Sequence, residues 1–244
     1  MAKAIMNCRV FLAECDLSGV TNAAALNLKA DLKECSVFES TFKERLAGIP
    51  EVLGDISGYF EAQDPDSNPD KKMFDQLALN DAALSLLVGD GASGNQAYFF
   101  RPAVSQYSPL DGGKVGEMAA FKLHAEGAAP LVRGQVLLPK AARTVTGAGA
   151  ALQLGAVAAT QKVYCAVHIF AVSGTTPTLN LVLQSDTTEA FTNPTDVITF
   201  SQKTAAGQDW QSANGPITDT WWRIAYTIGG STPSFTCALV AGIV

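Results

Sequence analysis

Residues 24–33 alternate without a break. Ala24, Leu26, Leu28, Ala30 and Leu32 fall on one side, and Ala25, Asn27, Lys29, Asp31 and Lys33 on the other. Successive side chains of a strand point to opposite faces, so this pattern predicts a strand with one buried and one wet face. Residues 4–13 and 52–61 carry the same signal more weakly. Between 24–33 and 52–61 lies Ser36–Pro50, mixed in charge and without a period. It is too long for a tight turn and reads as a mobile or partner-binding loop.

One helix stands out. Asn68 suits an N-cap, Pro69 the first helical position, and Asp70 the positive end of the helix dipole. Met73, Phe74, Leu77 and Ala78 make its apolar stripe, and Asn80-Asp81 ends it. Strands are expected at about 84–88, 96–104, 117–126 and 131–138, with Gly, Pro and Asp between them. From Pro139 to Ala151 the alternation stops and Gly and Ala dominate, which places a linker there. Further strands follow at about 152–158, 163–172, 179–184, 197–201, 221–228 and 235–243. Their spacing is that of a β-sandwich. In 163–172 both faces are apolar, so this strand should be central. No clear internal sequence repeat and no extended low-complexity tract is evident. The fold class expected is mainly β, with residues 1–138 and 152–244 as two units joined by 139–151.

Charge divides the same way. The 244 residues carry 17 basic and 23 acidic side chains, a net of −6. Residues 1–138 hold 12 basic and 18 acidic side chains, while residues 139–244 hold 5 of each. All the net charge is in the first unit. An acidic chain argues against a nucleic-acid reader, which needs a basic stripe. The N-terminus lacks a signal-peptide core, and the uncharged stretches 144–161, 163–185 and 224–244 are too broken by polar and turn residues to span a membrane. Five cysteines, an odd number without CxxC spacing, read as reduced and mostly buried.

Motifs for chemistry fail on their context. Gly89-Asp90-Gly91-Ala92-Ser93-Gly94 matches GxGxxG, but a strand follows where a phosphate-binding helix is required. Asp64 to Asp75 has the ligand spacing of a calcium loop, yet Pro69 stands where glycine is needed. His124 falls on a wet face beside Lys122 and Glu126. His168 falls on the more aromatic face of its strand. Neither has a ligand-spaced cluster around it, and no GxSxG elbow exists. No cofactor, metal or enzymatic activity is expected. Trp221-Trp222-Arg223 is the most aromatic spot, and on a strand its two indoles point opposite ways. Trp210, Trp221 and Trp222 are the candidate exposed aromatics, for sugar stacking or subunit packing.

Several local words, in order, carry a family resemblance. They are Asp16-Leu17-Ser18-Gly19, Thr41-Phe42-Lys43-Glu44-Arg45-Leu46-Ala47-Gly48-Ile49, Ser57-Gly58-Tyr59-Phe60-Glu61, Tyr107-Ser108-Pro109, Gly116-Glu117-Met118 and Pro130-Leu131-Val132-Arg133-Gly134. With them the first unit resembles the major tail, or tail tube, proteins of long non-contractile-tailed bacteriophages. The second unit resembles an extension found on some of them, through Gln184-Ser185-Asp186, Phe191-Thr192-Asn193-Pro194-Thr195, Pro216-Ile217-Thr218-Asp219 and Trp221-Trp222-Arg223. The resemblance implies a tail-tube-like β-sandwich or barrel with one short helix, followed by a β-sandwich decoration.

It also implies homohexameric rings stacked into a tube in the virion tail, assembled in the host cytoplasm. Expected partners are further copies of the chain, the tape measure protein and phage DNA in the lumen without sequence-specific binding, and tail terminator and distal tail proteins. The loop at 36–50 would order on a neighbouring subunit through Phe38, Thr41, Phe42, Lys43, Arg45 and Leu46. An acidic lumen would repel phosphates. Asp31 is a candidate for it, opposed by Lys29 and Lys33. The alternative is a carbohydrate-binding adhesin of a virion or cell surface.

Overall fold

A computed structural model describes residues 7–38, 41–61 and 69–244. The chain is mainly β. In order it runs β1 (Arg9–Leu12), β2 (Cys15–Asp16), β3 (Thr21–Glu34), β4 (Arg45–Tyr59), α1 (Pro69–Asp75), β5 (Leu84–Leu87), β6 (Gln96–Phe100) and β7 (Pro102–Ser108). It continues with β8 (Ala120–Gly127), β9 (Val132–Arg143), β10 (Gly147–Ala148), β11 (Leu152–Gln153), β12 (Lys162–Asp186), β13 (Thr195–Thr199), β14 (Gly207–Asn214) and β15 (Trp221–Ile243). Every ladder between these strands is antiparallel.

Two sheets result. The smaller has the order β3-β4-β8-β7, and the larger β13-β12-β15-β9-β6-β5-β1-β2 with β10, β11 and β14 paired beside it. The smaller sheet packs on β1, β5 and β6 over a core that includes Leu12, Leu17, Ile56, Leu84, Phe100, Phe121 and Leu123. The helix α1 adds Met73 to this core. It stops at Asp75, one turn short of the expected end, and Phe74 and Leu77 of its stripe stay largely exposed. Residues 64–68 of the calcium-like loop, the candidate N-cap Asn68 among them, lie outside the described residues.

The second half is organised by one pair of strands. β12 and β15 stay paired from Val163↔Ile243 to Asp186↔Trp221. Midway both bend together, so their two ends face each other across a core of Val163, Cys165, Val167, Leu181, Leu183, Trp222, Ile224 and Phe235. The bend has a sequence cause. Gly174-Thr175-Thr176-Pro177-Thr178 and Gly230-Ser231-Thr232-Pro233-Ser234 form a short repeat, and their backbones match. Gly174 and Gly230 have φ of 113° and 111°, and Thr176 and Thr232 have φ of 48° and 47°. A Cβ on Gly174 would stand 2.7 Å from the Thr232 carbonyl oxygen, and one on Gly230 would stand 2.7 Å from that of Thr176. Glycine is needed at both places for space and for backbone conformation. The stretches expected as turns are therefore corners through which the ladder continues.

Several sequence expectations are corrected. Residues 139–143, expected as linker, extend β9 alongside β15, and Gly147-Ala148 pairs with it too. β9 also pairs with β6, so one sheet runs through both halves. Between them lies a third cluster, where Phe11, Leu87, Ala97, Phe99, Val132 and Val136 meet Ala166, Ala238 and Val240. The strand expected at 152–158 shrinks to β11 and a single bridge, Val157↔Ile217. β14 was not anticipated. It pairs with β12 from Lys162↔Asn214 to Ile169↔Gly207, which makes the first half of β12 central, as its two apolar faces imply.

Candidate assembly surface

The ladder of β3 with β4 is longer than the sheet that supports it. It runs from Thr21↔Gly58 to Glu34↔Arg45, whereas β8 covers β4 only from Tyr59 back to Leu53. From Lys29 outward the two strands form a ribbon with no further strand paired beside it among the described residues. Those six residues of β3 extend roughly 20 Å at about 3.3 Å per residue. The expected strand at 24–33 is present, but its apolar face is covered for only half its length. Val52, opposite Leu28 in register, is 4% exposed and belongs to the core. Leu28 is 61% exposed and Leu32 54%. The apolar stripe thus leaves the core and continues into solvent.

The tip continues this surface. Part of the expected loop at 36–50 is strand, because Arg45 to Pro50 pair with β3 around a bulge between Ala30 and Leu32. Gly48 fits there because a Cβ would stand 2.8 Å from the Asp31 carbonyl oxygen. The turn is closed by the Cys35 amide donating to the Glu44 carbonyl (2.9 Å), the Glu44 amide donating to Ser36 Oγ (3.0 Å), and a Lys43–Glu34 ion pair at 3.1 Å. Of the candidate residues, Phe38, Thr41, Phe42 and Lys43 are in this turn, and Arg45 and Leu46 begin β4. All six are exposed, the two phenylalanines almost completely. Leu28, Leu32 and Ile49 belong with them, though sequence reasoning had not singled them out as a site.

A second apolar surface lies at the opposite end of the same sheet. Tyr59 pairs with Ala120 there, and the β7–β8 connection exposes Leu110, Val115 and Met118. Their signal in the sequence was three large apolar residues in a Gly- and Asp-rich turn. Exposed apolar groups concentrated on two tips of one sheet are typical of an interaction surface. Among the described residues β3 has no strand on its outer side, while β7 is met on its outer side by the Leu77↔Val104 bridge, and an open edge such as that of β3 pairs readily with another chain.

The polar face of this sheet is charge-matched rather than simply acidic. Lys29 pairs with Glu51 at 3.0 Å, Lys33 with Asp31 at 2.6 Å, and Lys122 with Asp111 at 2.8 Å. His124 Nδ1 is 2.6 Å from an oxygen of Asp55. The candidate Asp31 is therefore already engaged by Lys33.

The three indoles are not brought together. Trp222 is fully buried, with its Nε1 donating to the Gly155 carbonyl at 2.8 Å, which removes it as an exposed aromatic. Trp210 packs against Phe99 and Tyr164 at the seam between the halves, at centroid distances of 5.5 and 5.6 Å. Trp221 is half-buried at the start of β15, opposite Gln153 and Asp186. The GxGxxG stretch is a turn, with Gly89, Gly91 and Gly94 all at positive φ. All five cysteines are free, and burial pushes the Cys15 thiol up to about 11. Tyr107 donates to Asp70 at 2.7 Å, and its burial together with that carboxylate raises its pKa. Among the described residues no three His, Cys, Asp or Glu side chains converge as metal ligands, and no helix is long and apolar enough to cross a membrane.

No protein-family model matches the chain, and no curated protein matches it. Solved structures similar to it come from tails and injection machines. A chain in the virion of a native gene transfer agent particle is 16% identical over 54% of this chain and 98% of that one, with a TM-score of 0.41. The SPP1 Dit protein, described as a paradigm of the hub adsorption apparatus in phages infecting Gram-positive hosts, is 9% identical over 97% of this chain and 99% of its own, at a TM-score of 0.39. A chain of the sheath–tube complex of an extracellular contractile injection system is 7% identical over 55% and 91%, at 0.43.

Proposed function

We propose that the chain is a non-enzymatic structural subunit of a phage tail that assembles with copies of itself into rings, and through stacked rings into the tail tube. The observation that carries this reading is the overhanging β3–β4 ribbon, whose apolar stripe continues out of the core through Leu28 and Leu32. A strand pair that leaves such a stripe in water is completed by another chain. The tail-protein words in the sequence support the same reading, since Thr41 to Ile49 fall on this ribbon and its turn. Contacts between unlike surfaces of identical copies close into rings or extend as open stacks.

The polar face of the four-stranded sheet would line the conduit. Each lysine of β3 is matched there by a carboxylate, leaving no free basic stripe to hold phosphates. The second half would stand outside as a decoration. Further partners on this reading are the tape measure protein and DNA inside, and terminator and distal proteins at the tube ends, in a virion tail assembled in the host cytoplasm. Negative-stain microscopy of the purified full chain tests it. Tubes are expected for a tube subunit, and isolated rings would assign the chain to a tube end. A persistent monomer that binds sugar would replace this reading with that of an adhesin.

A further inference from the structure

One ionisable side chain is completely buried where the two halves meet. His168 stands in β12, and none of its surface reaches solvent. Its Nδ1 lies 2.6 Å from the Ala13 carbonyl oxygen in the β1–β2 turn, and its Nε2 lies 2.8 Å from Ser85 Oγ in β5. A carbonyl oxygen only accepts, so Nδ1 carries the ring proton. Nε2 then accepts and Ser85 donates. Phe11 and Phe170 pack on the ring, with centroids at 5.5 and 6.2 Å. Ala13 has φ of 50°, the left-handed region that a non-glycine residue enters at a cost. Its amide donates to the Ala83 carbonyl at 2.9 Å, so it is held from both sides, and one of the two holds is His168.

The charged groups around this seam are already matched with one another. Asp16 of β2 accepts from Lys140 of β9 at 2.6 Å and from Ser18. Glu14 pairs with Lys72 of α1. Lys140 also lies over the Phe170 ring, 4.6 Å from its centroid. On β14 the register neighbour of His168 is Gln208, which donates to the Asp81 carbonyl; on β15 it is Ala238. Neither acid near the ring lacks a cation of its own. A proton arriving at Nε2 would meet the Ser85 hydroxyl, whose hydrogen would have to turn away into closed surroundings.

We propose that His168 makes the seam between the two halves acid-sensitive: its neutral ring clamps the β1–β2 turn and β5 onto β12, and protonation releases that turn. Burial pulls the imidazole down to about 4, partly opposed by the Ala13 carbonyl and the charges of Asp16 and Glu14. An unfolded histidine titrates near about 6.5. The clamp's contribution is therefore whole above that pH and declines as pH falls from there towards 4.

Urea unfolding of the full chain between pH 7.5 and 4.5 tests this, with wild type set against His168→Asn. The asparagine amide keeps a donor for Ala13 and does not titrate. Relative to that variant, the wild-type unfolding constant should rise by up to about tenfold per pH unit below about 6.5. The chain has only two histidines, so their ring signals can also be followed by NMR in the wild type, without any variant having to fold. One ring is expected to stay neutral to pH 5, and Ser85→Ala, which removes the donor to Nε2, should raise its midpoint. Parallel pH profiles for wild type and His168→Asn would overturn the proposal, as would both rings titrating near 6.5 in the folded chain.

Discussion

Two long antiparallel strand pairs dominate this chain, and they dispose of their apolar faces in opposite ways. The β12–β15 pair bends at its two Gly-Thr-Pro corners and covers its inner face with its own other end. The β3–β4 pair has no such corner. It runs past the last residue of β8 that supports it and leaves Leu28 and Leu32 in solvent. The lesson is that an apolar strand face must be covered, and the corners decide whether the cover comes from the same chain. Where they are present the pair is self-sufficient, and where they are absent it is half of an interface.

The sharpest way to break this comparison is to truncate one leucine in each pair. Leu181→Ala, in the closed pair, should destabilise the subunit by about 2–5 kcal/mol in denaturant unfolding. Leu32→Ala, in the open pair, should change the unfolding of the isolated subunit by no more than about 0.5 kcal/mol. Equal losses would mean that the ribbon finds cover within its own chain. Next in size is the corner itself. Gly174→Ala forces a Cβ against the Thr232 carbonyl in a left-handed conformation, and a loss of about 1–3 kcal/mol is expected by the same measurement. A neutral result would show that the corner does not enforce the bend. The smallest effect is predicted for Lys43→Ala. It removes an exposed ion pair with Glu34, so stability should stay within about 0.5 kcal/mol, as judged by the thermal midpoint. A larger drop would mean that the tip is rigid before assembly.

Much of this architecture was legible in the sequence, and the failures have physical causes. Alternation in 24–33 announced a strand and its apolar face, but a face looks the same whether its cover is its own core or another chain. Hence Leu28 and Leu32 read as buried. Arg45 to Pro50 read as loop because the bulge at Ala30/Leu32 breaks the period just where Gly48 lets the strands close up. β14 escaped because Gly207–Asn214 carries only Trp210 as a large apolar residue, and its pairing with β12 makes it a strand. Trp221 and Trp222 were expected to part across a strand, and they do. Which one is core depended on β11 and the Gly155 carbonyl, far away in sequence. The corner repeat was too short to stand out among ordinary turn residues.

The measurement closest to the central claim is sedimentation velocity of the full chain, wild type against a Leu28→Asp, Leu32→Asp double variant. If the ribbon is half of an interface between copies, wild type sediments as rings or larger species. The variant then sediments as a monomer that still unfolds cooperatively, without the concentration-dependent midpoint that assembly gives the wild type. A wild type that stays monomeric at tens of micromolar, or a variant that assembles equally well, would contradict it.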